Sequence, residues 1–330
     1  MIKTEQLPGI ALLVLVSIAA MFASETVEVA GKHPIEASAL AIVFGLLATN
    51  FLKLPASFKP GIKFGEKMLA LGIVLMGAGL RFDLFASRGL SVFGIIVLTM
   101  TFGMLATYYL GRLLNLQKAL SFLLAVGTSI CGGTAIAVIA PIMKAKEEDV
   151  AYAVGVISLW GLVALLTYPL IGLALGVSDL QFGVFAGTAI HSTPQVVGAG
   201  YLFSEVAGQT ATAVKLIRNC FIAPLALLVA AVYSKTEGHA GAGAGKKAFP
   251  WFLFGYFALA GLAELGLFSP QTIDRLVEAG KFLILTGMAG VGLSTQLKNL
   301  ISLGLKPLLL GLFGAVAVGA LSSLLIRFWL

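Results

Sequence analysis

The chain has 330 residues, of which 59% are hydrophobic and 11% charged, with a mean hydropathy of +1.01. Soluble domains carry roughly 25% charged residues, so this composition excludes an ordinary soluble fold. The net charge of +7 comes from basic residues scattered singly through loops, which excludes a nucleic-acid surface and suits membrane orientation.

Eleven apolar segments, each near the ~20 residues that cross a bilayer, follow in chain order: 7–24, 37–52, 64–81, 89–111, 119–143, 150–176, 180–203, 207–233, 249–268, 279–297 and 306–327. The first, Leu7 to Ala23 behind Lys3, has the outline of a secretory signal, but nothing after it reads as a soluble mature domain. It is therefore read as a span. The third and tenth have the shortest uncharged cores, Met68–Leu80 and Phe282–Leu297. If all eleven cross, the loops at 53–67, 112–118, 235–247 and 298–306 share the basic side, and the positive-inside rule puts the N-terminus in the cytoplasm and the C-terminus outside. The expected fold is an all-α membrane protein of about 11 transmembrane segments, treated as one polytopic domain over 1–330 in the inner (plasma) membrane. The Gly/Ala-rich stretch within 235–248 reads as a flexible cytoplasmic connector.

Two pairs of segments repeat. Gly77 to Leu84 is echoed by Gly290 to Leu297, in spans that run in opposite directions, as in an inverted repeat. Gly127-Thr128-Ser129-Ile130-Cys131-Gly132-Gly133-Thr134 is echoed by Gly187-Thr188-Ala189-Ile190-His191-Ser192-Thr193-Pro194. Counted as crossings, these two segments are parallel, which a simple inverted repeat forbids. Either one of them is re-entrant or the repeat is permuted.

The chemistry concentrates in that second pair. In a bilayer, backbone groups leave a helix only where protein or a water-filled cavity satisfies them. Gly132-Gly133 and Ser192-Thr193-Pro194 should each break a helix and start a second one, whose free N–H groups and dipole favour an anion. Ser129, Cys131, Thr134, His191, Ser192, Thr193 and Gln195 are the accompanying candidates for substrate binding. The alternative for the glycines is close helix packing. On the following span, Lys215, Arg218 and Asn219 stand on an apolar stretch, where a charge costs at least ~2.5–3.5 kcal/mol. Lys215 and Arg218, three apart on one face, would neutralise a substrate, unless both snorkel to an interface. His191 has three readings: anion ligand, carrier of a coupling proton, or structural partner of a carbonyl. Glu264 reads as interfacial. No carboxylate pair suits a sodium site, no cluster has zinc spacing and no cofactor is called for. Cys131 and Cys220 lie in apolar stretches, which argues against a structural disulfide.

Cys131-Gly132-Gly133-Thr134-Ala135, with Lys146 to Val150 leading into the next span, resembles the unwound segment of bile acid/sodium symporter-type transporters. The chain as a whole is more similar to the sulfate exporter family of bacterial inner-membrane proteins, within the cation/proton antiporter and anion transporter superfamily. The Gly127–Thr134 and His191–Gln195 segments carry that resemblance. It implies core and panel domains, two discontinuous helices, elevator-like movement, export of sulfate or an organosulfonate, and a homodimer. His191, Lys215 and Arg218 depart from sodium-coupled relatives and favour proton coupling or anion exchange. The competing functions are a cation/proton antiporter and, less favoured, a membrane-embedded enzyme with Ser129 or Cys131 as nucleophile and His191 as base.

Overall fold

The computed structural model describes residues 4–26, 37–52, 54–80, 88–237, 251–296 and 304–330. Within them the chain is all helical: α1 (Leu7–Thr26), α2 (Ala37–Phe51), α3 (Lys59–Met76), α4 (Gly89–Leu113), α5 (Lys118–Val126), α6 (Gly133–Ile142), α7 (Glu147–Ala174), α8 (Asp179–Ala189), α9 (Thr193–Phe203), α10 (Glu205–Cys220), α11 (Ile222–Glu237), α12 (Trp251–Glu264), α13 (Pro270–Ser294) and α14 (Leu305–Trp329). Six stretches are long and apolar enough to cross a membrane: Thr4–Ser24, Gly89–Leu113, Glu148–Ala174, Glu205–Val232, Pro270–Ser294 and Leu305–Trp329. They correspond to the first, fourth, sixth, eighth, tenth and eleventh expected segments. The tenth is longer than its apolar core suggests, because Asp274, Arg275, Glu278 and Lys281 fall within the first half of α13. Most of the connector at 235–248, together with residues 81–84 and Leu297 of the first repeat pair, lies outside the described residues.

Local signals explain the helix starts. Ser178 opens α8 with a capping box to Gln181, Ser204 accepts from Ala207 N at 3.0 Å at the head of α10, and Ser269 with Pro270 opens α13.

The chain divides into two compact units. One is drawn from Met1–Arg81 and Trp251–Lys298, and contains α1–α3, α12 and α13. Here α13 packs along α2 and α3, and glycines let the backbones close. A Cβ on Gly61 would lie 2.5 Å from Gly9 Cα, and one on Gly72 would lie 2.8 Å from Gly280 O. The first segment is an integral part of this unit, with Leu13, Ser17 and Ala20 fully buried.

The second unit, from Phe82–Pro250 and Asn299–Leu330, holds α4–α11 and α14. Trp160 Nε1 on α7 donates to Leu308 O at 2.9 Å, and Thr188 on α8 shares a 2.6 Å hydroxyl bond with Ser322 on α14. Two of the expected crossings in this unit are not single straight helices. Phe182, in the first turn of α8, stacks on Phe203, the last residue of α9, with ring centroids 4.0 Å apart. A straight helix would separate them by about 32 Å, so segment 180–203 is a hairpin. Segment 119–143 also doubles back: α6 packs against α5, and a Cβ on Gly127 would lie 2.8 Å from Ile136 Cδ1, where a straight helix would put nine residues about 13 Å apart. The reading of each segment as one continuous span is corrected accordingly. An unbroken apolar run does not reveal that two or three residues reverse its direction.

Candidate functional site

Each hairpin turns at the motif that marks it in the sequence, by different local chemistry. In the first, a π turn over Gly127–Cys131 ends α5, Gly132 N donates to Gly127 O at 2.9 Å, and Gly132 adopts φ 56°, ψ −128°. That conformation is cheap only for glycine. Its carbonyl then accepts from Ile136 N at 3.2 Å, and α6 begins. In the second, Ile190, His191 and Ser192 are extended or irregular, Ser192 N donates to Gln195 Oε1 at 3.3 Å in a capping box, and Pro194 sits in the first turn of α9, where its missing N–H costs nothing.

The tips meet: a Cβ on Gly132 would lie 3.3 Å from Ser192 Cβ. Two cations on α10 lie against the carbonyl ends of both first arms. Lys215 Nζ donates to Ile130 O at 2.8 Å, to Ile190 O at 3.1 Å and, in a short bond, to His191 O. Arg218 Nη1 donates to Gly187 O at 2.6 Å and Ile190 O at 3.3 Å, while Nη2 donates to Ser129 O at 2.6 Å and Thr128 O at 3.4 Å. Both side chains are fully buried. An ammonium has three donors, and all three of Lys215 are engaged; only Nε of Arg218 lacks a partner.

Lys215 and Arg218 are thus fully buried instead of reaching outward as snorkelling side chains would, and their hydrogen bonds end on main-chain oxygens. The hydroxyl of Ser129 faces α4, 3.1 Å from where a Cβ on Gly103 would be. Gln195 turns to α7, where its Nε2 donates to Ser158 O at 3.1 Å. Cys131, Gly132, His191, Ser192, Thr193 and Asn219 are gathered at the tips. Asn219 Nδ2 donates to Thr193 Oγ1 at 3.2 Å and its Oδ1, buried, has no partner. Gly133 has open space where a Cβ would project and Thr134 is exposed, so the start of α6 is the accessible side of the cluster. Sequence reasoning missed the carbonyls of Thr128, Ile130, Gly187 and Ile190. Their only signal was that Ile130 and Ile190 occupy equivalent places in the two motifs.

A family model described as "Conserved hypothetical protein 698" matches residues 8–311. The chain is 35% identical over 320 residues to a UPF0324 membrane protein of Agrobacterium fabrum, covering 96% of this chain and 91% of that one. The chain belongs to the UPF0324 membrane protein family. Another UPF0324 membrane protein, from Nitratidesulfovibrio vulgaris, is 32% identical over 97% of this chain and 92% of its own length, and one from Bacillus cereus is 31% identical over 96% and 93%. Together with the six long apolar helices, these names identify this UPF0324 chain as a multi-pass membrane protein.

Proposed function

We propose that this UPF0324 chain is a secondary transporter of small anions that bind where the hairpin tips meet. The observation that carries this reading is the charge balance at the tips. The carbonyl ends of the π-extended α5 and of α8 each present roughly half a negative charge, whereas Lys215 and Arg218 add two positive ones and the N-terminal ends of α6 and α9 about half a positive charge each. The sum is positive. Among the described residues, the only buried acid is Asp149, at the start of α7, so no carboxylate offsets it. An anion at the open start of α6, held by the N–H groups of the two second arms and by Asn219 and Thr193, does.

The hairpins also support an inverted repeat. Eleven segments of which two double back leave nine crossings, with the first hairpin entering from the cytoplasmic side and the second from the opposite side. The parallel relation of the two motifs then disappears, and Lys144 and Lys146 move to the basic side. The family resemblance extends this to elevator-like transport of sulfate or an organosulfonate, with the hairpin-bearing unit as carrier, and to a homodimer. A cation/proton antiporter is less well supported, because among the described residues the tips offer no carboxylate for a cation. The enzymatic reading is also disfavoured, since the Ser129 hydroxyl points to α4.

The test is flux in proteoliposomes. Sulfate, small organosulfonates and carboxylates are offered to wild type, to Lys215→Ala and to the nearly isosteric Asn219→Asp. Saturable uptake of one anion class, lost in both variants, is the expected result. Cation-driven proton flux with no anion movement would transfer the site to the antiporter reading.

A further inference from the structure

Asn219 stands beside the start of α6. Its Nδ2 donates to the hydroxyl of Thr193, the first residue of α9, at 3.2 Å, and a Cβ on Gly132, which precedes α6, would lie 3.4 Å from the Cα of the adjoining Ser192. From the other direction, α11 begins three residues beyond Asn219 and packs along α6, where Ile222, Ala226 and Val229 share a core with Ile136 and Ile139. The side chain is 2% exposed, yet no group among the described residues donates to its Oδ1. A buried amide oxygen is rarely left in that condition. The donors around it are of another kind. Lys215 is bound to carbonyls through all three of its protons, and the N–H groups of Gly133, Thr134 and Ala135 come before the first hydrogen bond of α6, from Ile136 N to Gly132 O. The tips therefore offer several backbone donors for an anionic group and, beside them, an acceptor that no anionic oxygen can satisfy.

We propose that the transported anion carries a neutral hydrogen-bond donor of its own, as a hydroxy-substituted sulfonate or carboxylate does, and that Asn219 Oδ1 selects for it. This rests on the anion reading above. Sulfate presents acceptor oxygens alone and would set one of them against Oδ1. An unsubstituted sulfonate or carboxylate would displace water from that oxygen without replacing its hydrogen bond, which loses affinity. A hydroxyl supplies the missing proton. An ammonium would supply one as well, but Lys215 and Arg218 lie within about one turn of Asn219 on α10 and repel a third positive charge. A site that hydrogen-bonds a substrate hydroxyl rejects the analogue lacking it far more strongly than an apolar pocket rejects a missing methylene. Sulfate, the anion implied by the family resemblance, is thereby placed below hydroxylated organic anions. The opposite orientation of the amide makes the opposite prediction: with Thr193 donating to Oδ1, the free Nδ2 would favour an acceptor-only anion. The field of the two nearby cations favours oxygen as the free atom.

The experiment is isothermal titration calorimetry of the full chain in detergent with anions matched in charge and differing in the donor: lactate against propionate, and hydroxyethanesulfonate against ethanesulfonate. Sulfate and the aminosulfonate taurine are titrated alongside. Within the pair that binds, the hydroxylated member is expected to bind about tenfold more tightly or better, with sulfate and taurine weaker than it. Asn219→Leu, similar in volume and without the amide, is expected to bring the ratio within that pair to about one, at whatever absolute affinity remains. A residue that only supported the fold would weaken both members alike and leave their ratio unchanged. If no anion of the panel binds wild type and none enters proteoliposomes, the anion reading itself falls. If sulfate or an unsubstituted anion binds as tightly as its hydroxylated counterpart, or if Asn219→Leu keeps the wild-type ratio, the donor proposal is overturned and the anion reading stands. Should Asn219→Leu not fold, the wild-type pairs decide the question.

Discussion

The two hairpins of the second unit do the same job by unlike means. Their motifs are 60 residues apart (Gly127 to Gly187), their tips touch, and the carbonyls of Ile130 and Ile190, at matching positions, both accept from Lys215. Yet the first turns on the backbone freedom of Gly132, while the second turns on Ser192, Gln195 and Pro194 with ordinary dihedrals. The helices that follow differ more sharply. At the positions of α7 that correspond to Lys215 and Arg218 stand Gly155 and Ser158, so one repeat supplies all the charge and the other supplies only backbone. The difference teaches that a near-symmetric frame can hold one asymmetric charged centre: the cations are placed once and shared by both arms.

The comparison breaks outright if either segment crosses the membrane. In a Cys131→Ala, Cys220→Ala background, the pair Phe182→Cys and Phe203→Cys is expected to be joined nearly completely by a mild oxidant or a short bifunctional thiol reagent, as read by mass spectrometry of the intact chain. No joining, with both thiols reactive, would mean a spanning helix. Next in size is removal of the shared donor. Lys215→Met leaves the carbonyls of Ile130 and His191 without this donor and Ile190 O with Arg218 alone, a loss on the order of 3–5 kcal/mol. Anion flux should vanish and thermal unfolding in detergent should shift down by several degrees. Arg218→Lys, which cannot reach four carbonyls with one ammonium, should lower flux about tenfold, read by the same assay. The two turns then separate. Gly132→Ala forces a side chain into a glycine-only conformation, a cost of about 1–3 kcal/mol, whereas Ser192→Ala removes only the N-cap hydroxyl and keeps the bond from Ser192 N to Gln195, a cost below about 1 kcal/mol. Unfolding midpoints and initial flux rates should rank the first hairpin as the more sensitive; equal effects would remove the distinction. Gln195→Leu deletes both the link to Ser158 O and the bond from Ser192 N, about 1 kcal/mol each, and should appear as faster amide exchange in α9 with flux reduced less than in Gly132→Ala.

Much of this was legible in the sequence. The apolar blocks gave the membrane, Gly132-Gly133 and Ser192-Thr193-Pro194 gave the two breaks, and the matching motifs marked the two segments whose tips meet. The return of each chain was hidden because the arms of a hairpin and the halves of a kinked span have the same composition. What tells them apart is Phe182 reaching Phe203, and nothing in residues 180–203 alone announces it. Lys215 and Arg218 stood out as charges in an apolar run, and charge alone suggested a substrate partner. Their actual partners are peptide oxygens, which every residue possesses and which no side chain advertises.

That last feature has a consequence for how the centre tolerates change. The seven contacts of Lys215 and Arg218 end on main-chain oxygens, so a side-chain exchange on the arms disturbs the centre only by moving the backbone. At Gly187 it must, because a Cβ there would lie 2.6 Å from Val214 Cβ, and any larger residue pushes the arm away from the helix that carries both donors. The fit of that one glycine against α10 therefore sets how closely the cations can hold the arm.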